Sequence, residues 1–248
     1  MRKRNMIYLK YLNFLFIKTT KVAGTSFELA LSKFASPECI VTPLTNDDEI
    51  KRKSLGFRGP QNYRYSISEF KKIPRKEIFK SALNRSIPQK YWNHIPARDI
   101  KKRIHRDEWE NCFKVSIVRD PFDMAVSRYY WDIDTEKNRA RISFDSYISL
   151  NPSVLTLNKR ITHVENQSCL DFEIRYDRIN EDIEILEQRF PALQGLSSVF
   201  KQINAKAGFR DKSKTLADIY RDSPKAHRII SAVCKEEIEL YKFEIPNW

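Results

Sequence analysis

Short, nearly unbroken apolar runs recur along the chain, and most are followed by stretches in which apolar residues return every three or four positions. The first pattern predicts strands buried on both faces, the second helices with one buried stripe. Residues 11–17 read as the first core strand, preceded by a short lead-in segment. Residues 24–34 follow as a helix whose apolar set is Phe27, Leu29, Ala30, Leu31 and Phe34, and Pro37 marks its end. Residues 113–118 are the second clear strand. Pro121 stands where a helix can begin, since its missing N–H is not needed there, and that helix reaches about Asp132.

The remaining elements are predicted in the same way. Residues 100–109 read as a helix with one basic face, and 143–148 as a helix start capped by Ser143. Residues 172–176 read as a strand and 179–190 as an amphipathic helix stopped by Pro191. Residues 224–241 read as a last helix that buries Ile229, Ile230, Val233 and Leu240. This alternation predicts an α/β fold, a single domain over residues 1–248 with a central parallel sheet flanked by helices on both faces. Residues 42–75 carry Gly56, Gly59, Pro60 and Pro74 among scattered charges. They read as long loops with short elements, either a substrate-facing insertion or loosely packed surface.

Composition changes the picture in one respect. Lys and Arg total 45 against 32 Asp and Glu, a formal charge of +13. Such an excess fits an anionic partner (nucleotide, acidic glycan, nucleic acid or membrane surface), or simply a Lys-rich solvated exterior. The four cysteines, Cys39, Cys112, Cys169 and Cys234, are far apart and form no C-x-x-C pair, so free thiols are expected rather than a disulfide framework or a zinc site. The basic start and the apolar run over 6–17 imitate a signal peptide, but Lys10 and Asn13 interrupt the run and no well-placed small-residue cleavage site follows. The run is also too short to cross a bilayer. A cytoplasmic protein without a transmembrane segment is expected.

Chemistry concentrates at two strand-to-helix junctions. The first reads Lys21-Val22-Ala23-Gly24-Thr25-Ser26 and the second runs from Arg119 through Asp120 and Asp123 to Ser127. A helix N-terminus offers unpaired N–H groups and the positive end of its dipole, so it takes anions readily. Gly24 permits close backbone approach, Thr25 and Ser26 supply hydroxyls, and Lys21 supplies a point charge. Arg119 and Ser127 can grip one phosphate from two sides. Each junction also has a plain reading: a capped helix with Lys21 solvated, and an Arg119 ion pair with Asp120 or Asp123. The nucleotide-kinase pattern G-x-x-x-x-G-K-[ST] is absent.

Together the two segments resemble the sulfotransferases that use 3′-phosphoadenosine 5′-phosphosulfate. That family carries P-K-T-[AG]-[GS]-T-S and R-[ND]-P-x-[DE]-R-x-[VL]-S, where this chain has T-K-V-A-G-T-S and R-D-P-F-D-M-A-V-S. The departures are Thr20 for Pro, Val22 for Thr and Met124 for Arg, and Val22 removes one hydroxyl contact. Residues 91–100 resemble the H-x-x-x-x-x-[LI] segment of heparan and uronyl 2-O-sulfotransferases.

The resemblance implies a P-loop-like nucleotide-binding core. It implies that Lys21, Val22, Ala23, Gly24, Thr25 and Ser26 hold the 5′ side of the donor, and Arg119 and Ser127 its 3′-phosphate. It makes Lys21 and His94 the catalytic pair, Lys21 on the leaving phosphate and His94 as base, with Glu69 or Asp99 as rival carboxylate bases. The acceptor would be a carbohydrate hydroxyl, the product 3′-phosphoadenosine 5′-phosphate, with no metal and no nucleic acid involved. The basic segment 204–214 would close over the donor or form a plain charged loop. Two other classes remain open: a metal-dependent phosphoryl-transfer enzyme with an atypical phosphate loop, and a polyanion-binding module.

Overall fold

The computed structural model describes residues 6–83, 85–135, 142–203 and 215–247. The basic segment 204–214 therefore lies outside the described residues.

The apolar run at the N-terminus is a hairpin rather than a lead-in and one strand. β1 (Met6–Leu9) passes through a 3-10 turn at Lys10–Leu12 into β2 (Phe14–Ile17). The two pair antiparallel from Met6↔Ile17 to Leu9↔Phe14. Asn13 turns the chain at φ 50, in the left-handed region that Asn tolerates better than most residues. Tyr11, expected inside the strand, is exposed in that turn.

β2 leads through a six-residue loop, 18–23, to α1 (Gly24–Ser32), then β3 (Ile40–Val41) and α2 (Asn46–Ser54). After α3 (Arg75–Leu83) come α4 (Ala97–Lys101) and α5 (Arg106–Asn111), where one helix was expected; His105 caps the second. β4 (Phe113–Val118) and α6 (Pro121–Thr135) form the second junction. α7 (Phe144–Leu150) begins as expected, with Ser143 Oγ accepting from Ser146 N at 3.2 Å. α8 (Leu157–Thr162) precedes a two-strand ribbon, β5 (His163–Val164) and β6 (Gln167–Ser168). Then follow β7 (Phe172–Arg175), α9 (Ile179–Arg189), α10 (Leu196–Gln202), α11 (Leu216–Arg221), α12 (Pro224–Val233) and α13 (Lys235–Tyr241). The last expected helix is thus broken at Cys234. Val233 and Leu240 face solvent, while Ala226, Ile230, Cys234 and Ile238 are buried.

The fold is α/β, but the sheet is mixed. Among the described residues its order is β3-β1-β2-β4-β7. β2, β4 and β7 are parallel, while β1 is antiparallel to both β2 and β3. Side-chain alternation divides the core cleanly. Ile7, Leu9, Phe14 and Phe16 meet α1, α9 and α10 on one face. Met6, Tyr8, Leu15 and Ile17 meet Tyr91, Ile95, Ile100 and Trp109 on the other. A third cluster joins α6 and α7 to α11, α12 and α13. Among the described residues no helix is long and apolar enough to cross a membrane.

Candidate functional site at the ends of the central strands

β2 and β4 are adjacent and parallel, so the loops that follow them emerge at the same end of the sheet. The two sequence motifs, 98 residues apart, therefore touch: Arg119 Nη1 donates to the backbone carbonyl of Lys21 at 2.6 Å.

The first loop is tightly specified. Thr19 Oγ1 donates to the carbonyl of Ile117 on β4 at 2.7 Å. Asn158 on α8 clamps the next residue: its Oδ1 accepts from Thr20 N at 2.8 Å and Thr20 Oγ1 at 2.9 Å, and its Nδ2 donates back to Thr20 O at 3.1 Å. A proline at position 20 could not make the first of these bonds, since it has no N–H. Val22 is buried in the core beside α1, where a threonine would have to bury its hydroxyl. Both departures from the family pattern are thus accommodated by the local packing. Lys21 and Ala23 sit at φ 61 and φ 58, a left-handed conformation that costs free energy in residues with a Cβ. At Gly24 an added Cβ would lie 3.0 Å from Lys18 Cγ, so the lysine stem passes directly beneath the helix start.

The N-terminus of α1 has no side-chain cap: Ala23 occupies the cap position without a side-chain hydrogen bond. Its first N–H groups and the Thr25 and Ser26 hydroxyls make no side-chain hydrogen bond among the described residues. The start of α6 differs. Asp120 Oδ1 accepts from Asp123 N at 2.9 Å, and burial raises the Asp120 carboxyl above its ordinary range.

Arg119 is gripped from several sides. Its Nε and Nη2 reach Asp123 Oδ2 at 2.8 and 2.7 Å, and its guanidinium stacks 4.1 Å from the Tyr176 ring. Among the described residues three of the five guanidinium N–H groups are engaged in this way. Ser127 lies eight residues on in α6, half-buried, with no side-chain hydrogen bond among the described residues. Trp131, one turn further, has the Lys21 ammonium and the Arg128 guanidinium each 5.3 Å from its ring.

His94 comes to the same place. Its Nδ1 lies 2.9 Å from the carbonyl oxygen of Lys18, at the start of the first loop. A carbonyl only accepts, so Nδ1 donates in this contact. Of the rival carboxylates, Glu69 is ion-paired to Lys90 at 2.5 Å; burial opposes ionisation, but Lys90 and Ser66 hold its carboxyl down at about 2. Asp99 stands in the first turn of α4, where its carbonyl accepts from Arg103 at 3.1 Å.

Below the loop lies a buried ionic chain. Lys18 Nζ meets Glu28 Oε2 at 3.0 Å, Glu28 Oε1 lies 3.5 Å from Arg52 Nη2, and Arg52 Nη1 meets Glu49 at 2.9 Å. Burial lowers the Lys18 ammonium pKa, and Glu28 only partly offsets this.

Sequence reasoning missed Asn158, Trp131 and Tyr176. The last two had a signal: Trp131 is one helical turn beyond Ser127, and Tyr176 ends a predicted strand. Asn158 had none. A cavity of about 580 Å³, lined by Leu12, Asn13, Phe113 and Phe190, lies at the opposite end of β4 from this junction. Among the described residues no group of three or more His, Cys, Asp or Glu side chains could hold a metal ion. Comparison with protein-family models, with curated proteins and with solved structures finds no match to this chain.

Proposed function

We propose that this chain is a sulfotransferase that moves the sulfuryl group of 3′-phosphoadenosine 5′-phosphosulfate to a hydroxyl of a carbohydrate acceptor in the cytoplasm. One observation carries this most: Arg119 Nη1 reaches Lys21 O at 2.6 Å, so the two anion-suited junctions form one continuous surface. The β2–α1 turn then acts as the phosphate loop of a nucleotide-binding core. The uncapped start of α1, with Thr25 and Ser26, takes the 5′ side of the donor. The two spare N–H groups of Arg119 and the Ser127 hydroxyl take the 3′-phosphate.

In this scheme the acceptor oxygen attacks sulfur in line with the leaving phosphate oxygen. His94 Nε2 accepts the acceptor proton as the new S–O bond forms. Lys21 steadies the charge that grows on the departing phosphate. The contact between His94 Nδ1 and Lys18 O supports this role, because a carbonyl calls for a donating Nδ1. Residues 42–75 would supply acceptor-facing surface.

Calorimetric titration tests the donor half of the scheme. 3′-Phosphoadenosine 5′-phosphate should bind well above adenosine 5′-phosphate, and a glycan screen with the phosphosulfate donor should then yield a sulfated product. Equal affinity for the two nucleotides, or turnover that requires magnesium and a nucleoside triphosphate, would point instead to phosphoryl transfer.

A further inference from the structure

Helix α3 presents its sides the opposite way from an ordinary surface helix. Its polar side faces the rest of the protein: Glu77 accepts from Arg103 Nη2 at 2.8 Å and from Tyr65 Oη at 3.3 Å. The other side carries Ile78, Phe79, Ala82 and Leu83 together with Arg75 and Lys76, within an arc of about 160° at helical spacing. All six are exposed, Phe79 at 73% and Leu83 at 75%. Ile67 before the helix and Ile87 after it are exposed as well. Scattered apolar residues on a surface need no explanation, but a helix that turns its apolar stripe outward does.

The charges around this stripe are one-sided. Its excursion from the body, residues 66–88, holds only two carboxylates, Glu69 and Glu77, and Lys90 and Arg103 engage them. Arg75 and Lys76 have no carboxylate partner among the described residues. The excursion leaves and returns at one stem, where Lys90 N and Tyr91 N both donate to Tyr63 O at 3.0 Å. A second copy of this chain would set Arg75 and Lys76 against like charges, which opposes self-association through this face. Large apolar side chains bordered by unpaired cations match instead the boundary between anionic headgroups and acyl chains.

We infer that the outer face of α3 docks the protein on an anionic lipid bilayer. Phe79 and Leu83 enter the headgroup–acyl boundary, and Arg75 and Lys76 meet lipid phosphates. The overall charge of +13 favours approach to the same surface. This docking does not depend on the proposed activity, and its test uses no nucleotide.

The experiment is co-sedimentation of the full chain with vesicles of phosphatidylcholine alone and of an equimolar phosphatidylcholine–phosphatidylglycerol mixture. The protein should pellet with the mixed vesicles and stay in the supernatant with the neutral ones. Phe79→Ser with Leu83→Ser should weaken binding roughly tenfold, as should Arg75→Ser with Lys76→Ser. Leu240→Ser, at an exposed position on α13, should bind like the parent chain. No pelleting, or undiminished pelleting of the Phe79/Leu83 variant, would overturn the inference. So would a dimer in gel filtration that the same two substitutions dissolve, because a second copy would then be the occupant.

Discussion

The Glu28 carboxylate lies 3.0 Å from the Lys18 ammonium, and neither group reaches solvent appreciably. Glu28 faces Arg52 as well, so one carboxylate answers two buried cations. Removing it takes the nearest carboxylate from the buried Lys18 ammonium and one of two from Arg52, whose guanidinium keeps its proton and retains Glu49 at 2.9 Å. Glu28→Gln should therefore destabilise the fold by about 3–5 kcal/mol, a large part of the stability of an ordinary domain. The midpoint of urea unfolding measures this. A loss below about 1 kcal/mol would mean that water reaches these charges after all.

Arg119 braces the first loop through Lys21 O, and in the proposed scheme it also holds the 3′-phosphate; one substitution separates the two. Arg119→Ala should lower affinity for 3′-phosphoadenosine 5′-phosphate by about 1.5–3 kcal/mol, with little change for adenosine 5′-phosphate. Arg119→Lys should recover little of that loss, since an ammonium offers three donors from one point in place of the five-donor planar fork that spans Asp123 and the Lys21 carbonyl. Calorimetry with both nucleotides decides. Equal weakening of the two would assign Arg119 to bracing the loop and remove it from the 3′-phosphate.

His94→Ala should reduce turnover by ~10²–10⁴-fold while leaving donor affinity nearly unchanged. The histidine also props the Lys18 carbonyl, so the split between kcat and nucleotide affinity is the informative readout. If affinity fell as steeply as turnover, the imidazole would be a support for the loop and not the base.

Glu237 gives the fold a pH dependence. Burial, and then the neighbouring Glu173, push its carboxyl from 4.5 up to about 7. Between those values the native state keeps a proton that the unfolded chain has released, so this group's contribution to stability falls as pH rises. The contribution is fully present below the unfolded value and gone above about 7. Glu237→Gln should flatten this slope and raise stability above neutral pH, on the order of 1–3 kcal/mol. Unfolding midpoints of both proteins across pH measure it. Parallel slopes would place the titration elsewhere.

What the sequence disclosed was whatever its local signals could encode. The second junction was readable because residues 113–118 form an apolar run and Pro121 stands at a helix start. The Gly24 turn was readable because that position demands the smallest side chain. α2 was not: Asn-Asp-Asp-Glu-Ile-Lys-Arg-Lys-Ser has no apolar stripe, and its fully buried residue is Arg52. That arginine meets Glu49 one turn before it and also Glu28, 24 positions earlier, and no periodicity reports the second pair. The N-terminal hairpin was hidden for a different reason. Its apolar residues run almost unbroken on both sides of the turn, so Asn13 was the main sign that the chain reverses. The bond from Asn158 to Thr20 spans 138 positions, beyond the range of any local pattern.

The mixed sheet also determines how the protein can meet copies of itself. A parallel core normally leaves strand edges that another chain could extend. At one edge β3 is only two residues long, and its outer side is already bonded: Val41 and Gln61 exchange both backbone hydrogen bonds, at 3.0 and 2.8 Å. At the other edge β7 spans four residues, and Asp182 Oδ2 takes the N–H of Arg175 at 2.7 Å. Neither edge offers the long row of open donors and acceptors on which cross-β growth begins. The antiparallel hairpin at the start of the chain thus does more than carry β2 to the loop before α1: by placing β3 outermost, it ends the sheet in a form that resists templated aggregation.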